Sequence, residues 1–318
     1  MIAGVVTGVV YGLGVRGVAK LPFRTADWLI WVMSVAFVFV VPFSMGYLAV
    51  AVKARTERVS ITARLFLPWV VVLLTLLASA LTLWEGAICI VMIAPIALVF
   101  GSVGGLVAGA VVQPSRPQAA TMSMLCIAML PFLVGPVERH LPPAADIRTV
   151  ESDVVVHASP RTIWENIERV RRIDISGLPN SWNRRIGFPR PLEASLDREG
   201  IGGVRHATFA GDVLFLETID TWEPERRLGF SIRADTHHIP SATLDEHVTV
   251  GGPYFDVLHG EYILAAGSDG DTILRLISRH RVSTDFNWYA RLWTDAVMRD
   301  VQRSILYVIK NRCESVPR

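Results

Sequence analysis

The chain has 318 residues, of which 51% are hydrophobic and 19% charged, with a formal net charge of +2. Soluble domains carry closer to a quarter charged residues, so a uniformly water-exposed globule is excluded. The near-neutral balance argues against a polyanionic partner such as nucleic acid, and three scattered cysteines (Cys89, Cys126 and Cys313) form neither a disulfide framework nor a zinc spacing.

The apolar excess sits in the first part of the chain. Up to residue 140 the acidic residues are Asp27, Glu57, Glu85 and Glu138, whereas from residue 150 onward charges recur every few positions. A charge at the centre of a bilayer costs roughly 2.5–3.5 kcal/mol or more, which accounts for the depletion. Residues 1–140 are therefore expected to be a bundle of membrane-spanning helices. Four spans are read over residues 27–52, 65–84, 88–112 and 119–137, each long enough for about 30 Å of hydrocarbon. Pro42 is expected to kink the first of these and Pro131 lies inside the last. Residues 1–15 make a shorter fifth candidate, about 22 Å long if helical. A cleaved signal peptide is its rival, and the missing basic start together with Arg16 argues against that. Gly4, Gly8 and Gly12, and again Gly101, Gly105 and Gly109, repeat every fourth residue. Each set lays a bare stripe along one helix face, where another helix can approach closely and helix-mediated association is possible.

Sidedness follows from basic residues in short loops. Lys53, Arg55, Arg58, Arg64 and Arg116 lie on one side, against Arg16, Lys20, Arg24 and Arg139 on the other. The balance places the basic loop in the cytoplasm and the charged part of the chain, from residue 150 onward, outside. No charge falls deep within a long span, which argues for an anchor rather than a pump or proton-coupled transporter.

A linker over 141–149, rich in proline and alanine, leads into a water-soluble domain over 150–314. Residues 149–157 alternate as a strand, and Ser159-Pro160 opens a short helix with Ile163, Trp164 and Ile167 on its apolar stripe. Residues 174–191 are irregular, with room for one short helix. Strands are expected over 192–197, 204–210, 213–222, 227–234, 244–250, 254–265 and 272–282, with hairpin turns at Gly211-Asp212 and residues 267–270. A long amphipathic helix over about 285–312 closes the chain.

This order resembles the START-like helix-grip superfamily, also called SRPBCC or polyketide-cyclase-like. The resemblance rests on VVVHASPRTIWENI at 154–167, GIGGVRHATFAG at 200–211, LETIDTWEPERRLGFSI at 216–232, GEYILAAGSDGDTILRL at 260–276 and the tail WYARLWTDAVMRDVQRSILYVIKNR. In the first part, WEGAICIVMIAPIALVFGSVGG and FLVGPVE look like membrane-anchored bacterial members, which implies an integral protein of the plasma membrane. The resemblance implies a curved antiparallel sheet around the last helix, with an apolar cavity for a lipid or another hydrophobic molecule. Some members are cyclases or dehydratases, and fold alone does not choose between binding and catalysis.

Candidate cavity walls are Phe209, Phe215, Phe230, Tyr262, Trp288 and Trp293, whose plainer reading is an ordinary aromatic core. Glu217 is the leading candidate for acid–base chemistry, because an inward carboxylate in low dielectric has a raised pKa. Its alternative is a rim carboxylate paired with Arg205. Both faces of 213–222 begin apolar, so alternation does not say which points inward. His206 is the second candidate. His237, His238, His247 and His259 have no recognised zinc spacing, and no HExxH, Walker loop or GxSxG elbow occurs, so neither a metal nor a cofactor is expected. Three functions follow: a membrane-anchored binder of a hydrophobic ligand, a cyclase-like enzyme using Glu217 and His206, or a structural protein with a filled domain.

Overall fold

The computed structural model describes residues 1–19, 31–141, 143–173, 177–235 and 250–315. Residues 244–249 of the strand expected over 244–250, and His237, His238 and His247, lie outside the described residues, as do Lys20, Arg24 and Asp27. The chain divides into two compact units. One comprises Met1–Ala144 with Thr284–Phe286; the other comprises Ala145–Ser283 with the C-terminal helix.

The first unit contains five apolar helices: α1 (Ile2–Ala19), α2 (Ala36–Ala54), α3 (Ile61–Leu81), α4 (Ala87–Val111) and α5 (Pro117–Glu138). Each has 18 or more residues and is long and apolar enough to cross a bilayer. α2 is the central helix, buried along most of its length. The others turn large apolar side chains outward, among them Leu73, Leu77, Val99, Met122 and Leu133. Such a surface is out of place in water. α2 opens with a π-helical stretch, Ala36–Val40, immediately before Pro42. Proline cannot donate to the carbonyl four residues back, and the widened turn absorbs that missing bond.

Glycine sets how closely these helices approach. A Cβ on Gly4 would lie 2.3 Å from the Ala49 carbonyl oxygen, and one on Gly8 2.6 Å from Val71. On α4, a Cβ on Gly104 would lie 2.0 Å from the Phe43 oxygen, and one on Gly105 2.2 Å from the Arg64 oxygen. Gly12 faces Met45 and Gly109 faces the Arg64 side chain. Both stripes face other helices of the same chain. Arg16 and Glu85 form a buried ion pair, and Arg16 also donates to the Trp84 carbonyl at 2.7 Å.

The second unit is built on β1 (Asp146–Val156), β2 (Pro191–Leu196), β3 (Val204–Phe209), β4 (Val213–Glu223), β5 (Arg227–Asp235), β6 (Phe255–Ala266) and β7 (Thr272–Val282). They form one antiparallel sheet in the order β1-β7-β6-β5-β4-β3-β2. Register shifts at Pro191/Glu193, Ile219/Thr221 and Val257/His259 let it bend. Two helices cover one face: α6 (Pro160–Ile167), capped by Ser159, and the long α8 (Asn287–Glu314). Ile163, Trp164 and Ile167 of α6 and Leu306, Ile309 and Cys313 of α8 share one core with Leu228, Phe230, Tyr262 and Leu274 of the sheet. A short helix, α7 (Trp182–Arg185), lies in the irregular segment. A seven-stranded antiparallel sheet gripping a C-terminal helix is the helix-grip architecture.

Gln302 fixes α8 on the sheet. Its Nε2 donates to the Val150 carbonyl and to Ser278 Oγ, each at 2.9 Å, and its Oε1 accepts from Ser152 Oγ at 2.9 Å. A buried amide satisfied on all these sides specifies the position of the helix as apolar contact alone does not.

Candidate functional site

Side chains alternate across a strand, so the pairing register decides which residues share the helix-covered face. Arg205 pairs with Glu217, Glu217 with Ile232, Ile219 with Phe230, and Leu228 with Tyr262. That face therefore carries Arg205, Ala207 and Phe209 on β3, and Phe215, Glu217 and Ile219 on β4. Phe230 pairs with Gly260, where a Cβ would lie 2.6 Å from the Phe230 ring. The glycine leaves the space that the ring occupies.

At the centre of this apolar wall sits a polar cluster. Arg205 Nη1 donates to Glu217 Oε2 at 2.6 Å, and Arg205 Nε donates to the Glu168 carbonyl at 3.1 Å. The guanidinium lies 4.9 Å from the centre of the Phe230 ring, and the buried Tyr262 ring stands 6.1 Å from that same ring. The Arg205 side chain is 2% exposed and that of Glu217 12%. A charge so far from water is tolerated only when paired and hydrogen-bonded, and each partner here supplies the other's need. Burial pushes the Glu217 carboxyl above the usual carboxylate range while Arg205 pulls it down. Burial also pushes the Tyr262 phenol up to about 12. The cluster presents a guanidinium and a carboxyl group in direct contact, against the Phe230 ring and beside the Tyr262 ring. It is able to hold the polar end of an otherwise apolar molecule and to give or accept a proton there.

The six expected wall residues separate. Phe230 and Tyr262 lie in the main core, with ring centres 6.1 Å apart. Phe209 and Phe215 meet edge to face at 5.1 Å, beside Val170, Ala207 and Val308. Trp288 is 54% exposed. Trp293 is half-buried, against Trp182 and Tyr289 rather than the sheet. Trp288 lies in the first turn of α8, ahead of the point where Asp295 ties the helix to β1. His206 pairs with Leu216 and Ser195, one residue out of phase with Arg205 and Glu217. It lies on the opposite sheet face from Glu217, so the two do not form an acid–base pair. His259 is 3.2 Å from Asp220 Oδ2, also on that far side.

A small cleft opens beside the wall, between the segment 178–191 and α8. Leu178, Phe188, Pro191, Val301 and Ser304 line it, and Leu178 also packs in the cluster around Phe209 and Phe215. Asn183 lies in the same lining, its Nδ2 donating to the Val297 carbonyl at 2.9 Å. Its buried Oδ1 has no hydrogen-bond partner among the described residues.

A second buried polar group joins α8 to β1 and β7. Arg148 grips Asp295 with two bonds, of 2.7 and 3.3 Å. His280, fully buried, has its Nε2 3.4 Å from Asp295 Oδ1 and 3.3 Å from Thr294 Oγ1. Burial drags this imidazole from about 6.5 down to about 4, against the pull of Asp295. The reading of the sequence missed this group and Gln302. Their available signal was polar residues at core-facing positions of a helix and two strands.

No family model and no curated protein matches this chain. Solved structures similar to it include Ara h 8.0201, at 14% identity and a TM-score of 0.34, over 54% of this chain and 100% of that one. The Zhui aromatase/cyclase from Streptomyces sp. R1128 matches at 16% identity and a TM-score of 0.33, over 53% of this chain and 94% of that one. A protein from Nitrosospira multiformis matches at 19% identity and a TM-score of 0.32, over 53% of this chain and 97% of that one.

Proposed function

We propose that the protein is a membrane-anchored binder of a hydrophobic small molecule or lipid, held on the concave side of the helix-grip domain. One observation carries this reading: the buried Arg205–Glu217 pair is set on the helix-covered face against Phe230, with Tyr262 beside that ring. A core made only for stability gains little from such a group, since a buried ion pair is often no more stable than apolar residues of similar volume. An apolar wall with a few convergent polar groups is the usual make-up of a site for a greasy ligand with one polar end. The five apolar helices support anchoring in the phase where such ligands concentrate.

The test uses the full-length protein, purified in detergent, with mass spectrometry of co-purified lipids and metabolites. The expected result is a bound hydrophobic species in the native protein. Arg205→Met/Glu217→Met should lose at least about tenfold of it while unfolding within about 1 kcal/mol of the native protein, because the pair is removed together. Arg205→Ala alone strands Glu217 and should destabilise the domain by about 3–5 kcal/mol. Full ligand retention by the folded double variant, or no ligand from any membrane source, would overturn the reading.

A cyclase-like enzyme is the second reading. The upward shift of Glu217 favours it, since a carboxyl group protonated nearer neutrality is a usable general acid. Its partner would be Tyr262 rather than His206. Glu217→Gln would then abolish turnover while leaving ligand capture within a few-fold.

A further inference from the structure

Outside the concave face, α7 and the first half of α8 make a surface that the ligand-binding reading does not use. Trp182 and Trp293 bring the two helices together, ring centres 6.5 Å apart. Asn183 donates to the Val297 carbonyl, and Ser181 is bonded to Asp300. On α8, Trp288 and Leu292 are 54% and 61% exposed, one turn apart. Arg291, Arg299 and Arg303 are exposed along the same helix. On the α7 side, Arg185 is exposed, and Arg184, Ile186, Phe188 and Arg190 are half-buried. The two carboxylates in this half of α8 are both engaged, Asp295 by Arg148 and Asp300 by Ser181. Segment 177–191 holds three arginines and no acidic residue.

We infer that this aromatic and basic face rests on the anionic surface of a bilayer. Two features point to lipid. Arginines interleaved with tryptophan, phenylalanine and leucine are what an interfacial segment needs: cations for phosphate and rings that settle at the headgroup level. The chain also brings the face to the membrane, if the apolar helices span it as proposed above. Seven residues, 139–145, separate the end of α5 from β1, a reach of at most about 25 Å. α8 begins at the residue following Thr284–Phe286, which group with the apolar unit. Trp288 and Leu292 lie in the first two turns after that point.

The test is hydrogen exchange on the full-length protein in nanodiscs of phosphatidylcholine, with and without phosphatidylglycerol. Amides of 182–190 and of the first turns of α8 should exchange roughly tenfold more slowly in the anionic discs, and high salt should erase the difference. Arg185→Glu/Arg299→Glu/Arg303→Glu should remove the protection while leaving exchange in β1 and β7 unchanged. Equal exchange in the two lipids, or protection that follows the number of chains per disc, would overturn the inference; the latter would assign the face to a second copy. Protection in Ile61–Leu81 reports the spanning reading separately, so either claim can fail alone. If the triple variant does not fold, the lipid and salt comparison on the native protein still decides.

Discussion

Arg205 and Glu217 are each other's solvent: with one removed, the other is a bare charge facing phenylalanine. His280 is a different case, a titratable ring kept neutral by burial and lying against the Arg148–Asp295 pair. Its pKa is lower in the fold than in the unfolded chain, so the unfolded chain takes up the proton first. The stability that the neutral ring contributes is fully present above about 6.5 and is lost as pH falls toward about 4. The loss should approach about 3 kcal/mol. His280→Gln should flatten that part of the profile, as read from denaturant midpoints followed by tryptophan fluorescence between pH 7 and pH 4.5. An unchanged slope in the variant would show that other groups carry it. Which β3 residue lies opposite Glu217 was not legible beforehand, and the cause is one residue of loop length. A two-residue Gly211-Asp212 turn would pair Ala210 with Val213. The loop actually includes Ala210, pairs Phe209 with Val213, and so sets Arg205 opposite Glu217. Asp212, at φ 59°, holds the left-handed position that such a loop uses.

At the scale of elements, periodicity performed well where one face is dry. β7 matches the expected 272–282, and its burial alternates without a break. β1 begins three residues earlier than alternation indicated, because Asp146, Ile147 and Arg148 continue the ladder with β7 although two of them are charged and Ile147 is exposed. α8 was legible as a helix, but its faces were not: Trp288 is apolar and exposed, Gln302 polar and buried. Burial there depends on which strands lie opposite, which helical period alone does not encode. The apolar helices show the converse, since their glycines announced close contact without naming the neighbour. Gly104→Val should cost about 1–3 kcal/mol or more, because its Cβ falls on the Phe43 carbonyl. Gly14→Ala, with nothing within 4 Å, should be neutral or slightly stabilising. Denaturant titration in micelles compares the two, and equal effects would mean that the helices are looser than the backbone approach implies.

For the whole molecule, composition alone separated a lipid-compatible region from a charged one, and the two compact units divide at Ala144 and Ala145. The ladder order carries a consequence for synthesis. β1 has β7 as its partner, so Val156 meets Thr272 across more than a hundred intervening residues. On a ribosome adding about 5–20 residues per second, the first strand waits many seconds with an open edge before its mate emerges. Chains stopped just short of residue 272 should therefore be degraded or aggregate, although six of the seven strands have been made. Pulse-chase of stalled nascent chains would show protease resistance arriving late and at once, and a stepwise gain would mean that the middle hairpins fold alone. A domain whose opening strand is completed only by its last strand has no safe half-built form.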